Sequence, residues 1–409
     1  MPWEVSDVME QRFRLVERYR DSGEGISELA RRFQVSRKTV YKWLQRYELG
    51  GVEGLRDHSR RPMVQAARTP GEIEAWITDL RRTHPSWGPR KLRAWLARKH
   101  PEQRWPAEST MGLILERHGL NGRRVKRRHA TPSAQPLQHA QEANDVWSID
   151  FKGWFVCGDG QRCDPLTVSD AASRYLLCCR AVAEPNTAAV EQELTRVFRR
   201  YGLPQRMRSD NGSPFASTGV GGLSRLSVWW IRLGIVPERI APGEPQQNGR
   251  HERMHRTLKA ETAAPPAENL EAQQRRFAEF IEVYNQQRPH QALDGDTPAD
   301  RYEPSPREFS EKLVEVAYPA GMELRRADDG GKFRWKQARC RVGEALAHQI
   351  VGIEPIDDGV SRVWFGPVLL GLLDERQGHT HTAVKEHSHW PPLASPKTAH
   401  DDGEDRRKL

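Results

Sequence analysis

The stretch VWSIDFKGWFVCGDGQRCDPLTVSDAASRYLLCCRAV, residues 146–182, decides how the rest of the chain is read. Three apolar, partly β-branched runs, VWSIDFKGWFV, PLTVSDA and RYLLCCRAV, are separated by the turn-forming GDGQRCD and AAS, so three successive antiparallel strands are expected. Downstream the period changes. Residues 186–202, NTAAVEQELTRVFRRYG, have helical spacing and a glycine stop; QRMRSD is a short strand, LSRLSVWWIRLG a helix and IVPERIA another short strand, with helices at 246–261 and 268–287. A meander followed by alternating helices and strands describes a mixed α/β sheet.

Three carboxylates stand out on these elements. Asp150 lies inside the first strand, where a charge has no packing role if both faces of the sheet are covered. Asp210 ends the strand QRMRSD, and Glu252 sits on the helix after Pro245. Oxygen ligands on separate elements suit Mg²⁺ or Mn²⁺. Taken singly, each has a plainer reading as a cap, a turn residue or one half of a surface ion pair. Helical phase sorts the acids of PGEPQQNGRHERMHRTLKAE, residues 242–261. At about 100° per residue, Arg256 stands roughly 40° and Lys259 roughly 20° from Glu252, so acid and bases share a stripe. Met254 falls on the opposite side, toward the sheet; Glu244 precedes the helix, and Glu261 is expected to be ordinary surface.

Toward the N-terminus, ISELARRFQVSRKTVYKWLQR, residues 26–46, places Ile26, Leu29, Ala30 and Phe33 on one helix and Val40, Trp43 and Leu44 on a second. This is a helix-turn-helix pattern. Ser36 can cap the second helix, from which Arg37, Lys38, Thr39, Tyr41 and Lys42 would reach a DNA major groove. A plain helical hairpin with a solvated basic face is the competing reading. Amphipathic segments at 72–83, 89–100 and 107–118 form a second helical unit. After it, NGRRVKRRHATP, residues 121–132, presents Arg123, Arg124 and Lys126 as an arm for a phosphate backbone, or as a solvated linker.

After Pro306 a connecting helix is expected, then several short strands punctuated by ADDGG and DDG, which suggest a small β-barrel. The tail from Arg376 has the composition of a disordered segment. The resulting division is a helix-turn-helix domain at 1–62, a second helical unit and basic linker at 63–133, an α/β core at 134–303, a linker helix and barrel at 304–375, and a tail at 376–409. Asp170 is expected to cap a turn, Trp147 and Trp154 to be core, Trp229 and Trp230 core with DNA contact in reach, and Cys178 and Cys179 to be buried thiols.

Bulk properties agree with this division. A chain of 409 residues exceeds one core, and 64 Lys+Arg against 55 Asp+Glu, a formal charge of +9, favour polyanionic partners. No apolar run is long enough to span a membrane, and MPWEVSDVMEQRFRLVERYR is too charged for a signal peptide. Five cysteines without a CxxC pair argue against a disulfide framework or zinc ribbon, so a reduced, cytoplasmic setting is expected.

Together WSIDFKG, SDNGSPF, PQQNGRHERMHRTLKAE and YNQQRPHQALDGDTP resemble the integrase core of DDE transposases and retroviral integrases, an RNase H-like fold. The closing GEALAHQIVGIEPIDDGVSRVWFGPVLLGLLDER and the helix-turn-helix resemble insertion-sequence transposases of the IS481 type. The resemblance implies a triad of Asp150, Asp210 and Glu252 holding two Mg²⁺ (or Mn²⁺) ions, with Arg256 and Lys259 as DNA contacts. It also implies double-stranded DNA as partner, a homo-oligomer of at least two copies in the active complex, hydrolysis at transposon ends and attack of the freed 3′-OH on target DNA. A bacterial cytoplasm, with nucleoid association through DNA, follows from the same likeness. Two departures stand beside it. The 41 residues between Asp210 and Glu252 exceed the family's usual spacing, with ASTGVGGLSR the expected site of an extra loop, and the zinc module of retroviral integrases is missing, so no structural zinc is expected. A non-catalytic DNA-binding regulator and an RNase H-type nuclease are the rival readings.

Overall fold

A computed structural model describes residues 7–57, 69–121, 140–217, 220–240, 249–336, 338–357, 359–374 and 379–381. The chain divides into two compact units, Met1–Thr69 and Pro70–Leu409.

In the first unit, α1 (Val8–Ser22), α2 (Ile26–Arg32) and α3 (Arg37–Gly50) enclose Leu15, Val16, Leu29, Val40, Trp43 and Leu55. The Ser36 hydroxyl accepts the Thr39 N–H at 3.1 Å, capping α3 as its sequence predicts. Arg37, Lys38, Tyr41 and Lys42 are exposed on α3, whereas the Thr39 hydroxyl is engaged with Ser36 at 2.9 Å. The first helix of this bundle carries no mark in the sequence reading above.

The second unit opens with α4 (Gly71–Thr83), α5 (Pro89–Lys99) and α6 (Glu108–Arg117), which pack around Ile77, Trp87, Leu92, Leu96, Met111 and Ile114. Arg123, Arg124 and Lys126 lie outside the described residues. The core follows: β1 (Val146–Phe151), β2 (Phe155–Val156), β3 (Arg162–Asp170), β4 (Leu176–Val182), α7 (Thr187–Tyr201), β5 (Arg206–Ser209), α8 (Arg225–Arg232), β6 (Val236–Arg239), α9 (Gly249–Thr262) and α10 (Leu270–Glu282). β1, β3 and β4 are antiparallel, and β5 and β6 continue the sheet from β1 in parallel. One face of the sheet packs Trp147, Ile149, Leu166 and Val168 against α7 and α8; the other receives Met254 and Leu258 of α9 and Phe277 and Phe280 of α10. Both faces are covered, so a charge in β1 calls for a reason.

The C-terminal part departs from the expected linker helix and barrel. Residues 304–321 form no helix, and the start of the segment is bonded to the core instead: Ser305 N–H donates to the Tyr201 carbonyl at 2.8 Å and Leu203 N–H to that of Arg307 at 2.8 Å. Gly202, at φ 75°, makes room for this strap, since a Cβ there would sit 2.5 Å from the Ser305 carbonyl oxygen. Then β7 (Glu323–Arg326), the hairpin β8 (Lys332–Trp335) and β9 (Ala338–Arg341), β10 (Ile350–Asp357), β11 (Val360–Phe365), β12 (Val368–Asp374) and β13 (His379–His381) follow. Five of these form an open antiparallel sheet in the order β13-β12-β11-β10-β7, without closure into a barrel among the described residues. Its apolar face is filled by Phe333 and Trp335 of the hairpin and by Val228 and Ile231 on the outer side of α8. Within the tail, His379–His381 form β13, and the other residues from 376 on lie outside the described residues.

Trp154 also departs from expectation. It is 60% exposed, because β1 ends before Lys152 and Gly153 turns the chain at φ 85°, while Trp147 is fully buried as expected. Trp230 and both Cys178 and Cys179 are buried.

Candidate active site

Side chains alternate along β1. Trp147 and Ile149 enter the apolar core, so Ser148 and Asp150 face the other way, toward α9. Across the ladder Asp150 pairs with Thr167 and Ser148 with Ser169, and cross-strand partners share a face, which makes a polar strip on the sheet. In the parallel direction Ser148 pairs with Arg208; two residues further along each strand come Asp150 and Asp210. Asp210 is half-buried at the end of β5, and its carboxylate accepts the Gly212 N–H at 3.0 Å. The Asn211 amide donates to the Ile240 carbonyl at 2.9 Å, which ties the segment leaving Asp210 to the end of β6.

Opposite the strip, α9 turns His251 and His255 inward, one helical turn apart. The Thr167 hydroxyl lies 2.7 Å from His251 Nε2 and 2.6 Å from His255 Nε2, and donates to the Asp150 carbonyl at 3.1 Å. A hydroxyl has one proton. With that proton on the carbonyl, both imidazoles must donate from Nε2, leaving both Nδ1 atoms as acceptors. His251 Nδ1 then receives the Ser169 hydroxyl at 2.7 Å, and His255 Nδ1 faces the Asp150 carboxylate at 3.8 Å. Burial drives both rings toward the neutral form, His251 to about 3 and His255 to about 2, the latter also repelled by His251 and Lys152.

Glu252, beside His251 on α9, is exposed on the other side of this contact, and Arg256 and Lys259 follow it along the helix surface. Asp150 carries the electrostatic signature of the site. Its carboxyl is pushed up to about 7, first by burial and then by Asp210, with Glu252 adding in the same direction against a Phe151 N–H bond and Lys152. The three carboxylates predicted from sequence therefore share one field. A hard divalent cation fits such a group, because it answers both the repulsion and the lack of solvent. Asp150, His251 and His255 also have potential ligand atoms within 4.8 Å of one another.

One expectation about the surroundings changes. Glu261 is no ordinary surface acid: it accepts from the Arg288 guanidinium at 2.7 Å, whose side chain is 6% exposed, and from the Ser86 hydroxyl, linking α9 to the second helical unit. Asp170 does cap its turn, accepting the Ser173 N–H at 2.7 Å and the Asn144 N–H at 2.8 Å. The sequence reading passed over His251, His255, Thr167 and Lys152. The His-x-x-x-His spacing around Glu252 was the visible signal for the first two.

A model of the integrase core domain matches residues 140–245, and a second integrase core model matches residues 233–298. A helix-turn-helix domain model matches residues 11–63 and a homeodomain-like domain model residues 39–115. Transposase InsD of insertion element IS2 from Escherichia coli is 24% identical over 296 residues, 68% of this chain and 91% of that protein. An uncharacterized 31.7 kDa protein of insertion element IS407 from Burkholderia multivorans is 28% identical over 179 residues, 44% of this chain; the chain spans 62% of that relative. Among solved structures, the HTLV-2 integrase catalytic core domain in complex with magnesium aligns with TM-score 0.31 and 14% identity over 40% of this chain and 98% of that one. The BIV integrase catalytic core domain aligns with TM-score 0.29 and 23% identity, over 38% and 91%. No helix among the described residues is long and apolar enough to cross a membrane.

Proposed function

We propose that this chain, an insertion-sequence transposase/integrase with helix-turn-helix DNA-binding domains, cuts DNA at the ends of its element and joins the freed 3′-OH ends to target DNA, using Asp150, Asp210 and Glu252 as the ligands of two Mg²⁺ or Mn²⁺ ions. The observation that carries this is the raised Asp150 carboxyl, which burial and two further carboxylates hold near 7 inside an otherwise ordinary sheet. Bound there, such ions supply activation of the attacking hydroxyl and stabilisation of the leaving oxygen.

The chain's own residues position the substrate. Asp150 and Asp210 sit at adjacent strand ends, and Glu252 approaches from a helix whose roll is set by His251 and His255 on Thr167 and Ser169. Arg256 and Lys259, on the exposed side of α9, hold DNA phosphates beside the scissile bond. Arg37, Lys38, Tyr41 and Lys42 on α3 read terminal inverted repeats, with Thr39 fixing the helix start. Two copies of the chain, one for each element end, are the minimum for joining. The IS481-type assignment rests on the closing segment and the N-terminal helix-turn-helix.

A strand-transfer assay with labelled end-mimicking DNA and Mg²⁺ tests the reading. Asp150→Asn, Asp210→Asn and Glu252→Gln should each bind DNA as wild type does, yet neither cleave nor join it. Substantial joining by Glu252→Gln protein would overturn the assignment of the triad, whereas DNA binding without cleavage or joining by the wild type would leave a DNA-binding regulator as the better description.

A further inference from the structure

Across a gap of 3.8 Å, the Nδ1 atom of His255 faces the Oδ2 atom of Asp150. A hydrogen bond does not span that distance. The Thr167 hydroxyl gives its proton to the Asp150 carbonyl at 3.1 Å and so takes one from His255 Nε2 at 2.6 Å, which leaves Nδ1 a lone pair and no hydrogen. With Asp150 ionised, neither facing atom carries a proton. Both stand where water is largely excluded, the His255 side chain 6% and the Asp150 side chain 22% exposed. Two electron-rich atoms so held repel each other unless positive charge lies between them.

The width of the gap points to the kind of charge. A proton bridges nitrogen and carboxylate oxygen at about 2.7–2.9 Å. Ligand atoms that share one metal ion, with bonds of about 2.0–2.2 Å, stand about 3–3.5 Å apart. The observed separation is well beyond the first range and close to the second. Behind the ring the support is of the kind that metal-bound imidazoles have, a hydrogen bond to the other N–H that fixes tautomer and ring plane. Thr167 provides it, anchored on the backbone of the residue whose carboxylate the ring faces. His251, one turn earlier, is the contrast: its Nε2 is engaged by Thr167 and its Nδ1 by Ser169, each at 2.7 Å, so it has no lone pair to offer.

We propose that His255 Nδ1 is a fourth protein ligand of the candidate active site, sharing one divalent ion with Asp150. The proposal rests on the reading of Asp150, Asp210 and Glu252 as a metal-binding group. It adds a nitrogen to a set otherwise made of oxygens, and the addition has a consequence for metal choice. Carboxylates and water suit Mg²⁺, whereas an imidazole favours the first-row transition ions, Co²⁺ more than Mn²⁺. His255 therefore tilts the ion beside Asp150 away from Mg²⁺ and toward Mn²⁺ and Co²⁺.

The test is spectroscopic and needs neither DNA nor turnover. Electron spin-echo envelope modulation of Mn²⁺ bound to the full, untagged chain reads nitrogen ligands directly. Wild type should show the nitrogen coupling of a bound imidazole, and both His255→Gln and Asp150→Asn should lose it. Asp150→Asn relieves a buried charge, so unfolding does not account for a loss in that variant. Mn²⁺ bound through oxygen alone in wild type overturns the proposal and leaves the three-carboxylate reading standing, and a coupling that persists in either variant does the same. Failure of wild type to bind Mn²⁺ defeats that reading and the proposal with it. Calorimetric titration gives the second measurement. His255→Gln should lower Co²⁺ affinity by about 10-fold or more and Mg²⁺ affinity much less; equal losses for the two ions overturn the proposal.

Discussion

The Nε2 atom of His255 lies 2.6 Å from the hydroxyl oxygen of Thr167, joining the helix that bears Glu252 to the strand paired with the one that bears Asp150. The same hydroxyl also meets His251, so one threonine fixes both the height and the roll of α9. Thr167→Val should remove both contacts and strand two buried imidazole donors, lowering stability by about 1–3 kcal/mol. Joining activity should fall further than DNA affinity, while Thr167→Ser restores both. Urea unfolding and strand transfer measured on the same preparations check this; unchanged unfolding would show that the hydroxyl is not the pivot.

Asp150 should cost the metal-free protein stability. Its folded carboxyl is raised to about 7, so the fold disfavours the charged form: the stability present below the unfolded value near 4 is lost as pH rises through 7. Asp150→Asn should therefore match wild type near pH 3.5 and exceed it at pH 8 by up to about 4 kcal/mol. Mg²⁺ should stabilise wild type at pH 8 and leave the Asn variant nearly unmoved. Thermal unfolding at the two pH values with and without Mg²⁺ measures both effects, and a wild-type advantage at pH 8 without metal would contradict the raised carboxyl.

Glu261 and Glu252 should separate stability from chemistry. Glu261→Ala leaves the Arg288 guanidinium buried without its carboxylate, at a cost of about 3–5 kcal/mol. Glu252→Gln, on the exposed side of the same helix, should stay within about 0.5 kcal/mol of wild type while losing cleavage. Denaturation midpoints decide the matter; a Glu261→Ala protein as stable as wild type would remove the acid's structural role.

Phosphate contacts are read from salt dependence. Arg256→Gln and Lys259→Gln should each reduce the slope of log affinity against log salt by about one. An unchanged slope for either variant takes that residue off the DNA.

The α8 helix carries a different expectation, since its two faces serve two cores. Ile231→Ala should expose the C-terminal sheet with a loss of about 2–4 kcal/mol, and Trp230→Ala, filling the central core, about 3–5 kcal/mol. Hydrogen exchange should localise the first loss to β10–β12 and the second to β1 and β5. The same protection pattern for both variants would argue that the two cores do not open separately.

Local patterning was sufficient for most of the elements. Apolar, partly β-branched runs between turn signals marked β1, β3 and β4, period-3.6 runs marked α2 to α10, and Ser36 and Asn186 cap the helices they precede. The candidate acids were legible because each breaks a local rule: a charge in a covered strand, an Asp-Asn-Gly at a strand end, and a glutamate sharing a helical stripe with two bases. What failed in the reading depended on partners distant in sequence. The segment around Pro306 has enough apolar residues for a helix, but at its start Ser305 and Arg307 bond to Tyr201 and Leu203 instead. The C-terminal strands alternate as barrel strands would, and the described ones form an open sheet whose apolar face α8 and the hairpin cover. Trp154 reads as core by composition and stands at the surface because β1 ends three residues before it.

Residue type and period thus marked the helix-turn-helix pattern, the mixed sheet and the three candidate acids, since each rests on interactions within about ten residues of chain. Only the tertiary structure decided what those acids experience. The raised Asp150 carboxyl depends on Asp210 and Glu252 being brought from 60 and 102 residues away, and the roles of His251, His255 and Glu261 depend on Thr167, Ser169, Ser86 and Arg288 packing against one helix. Burial and charge proximity are properties of assembled space, and a linear pattern carries no measure of either.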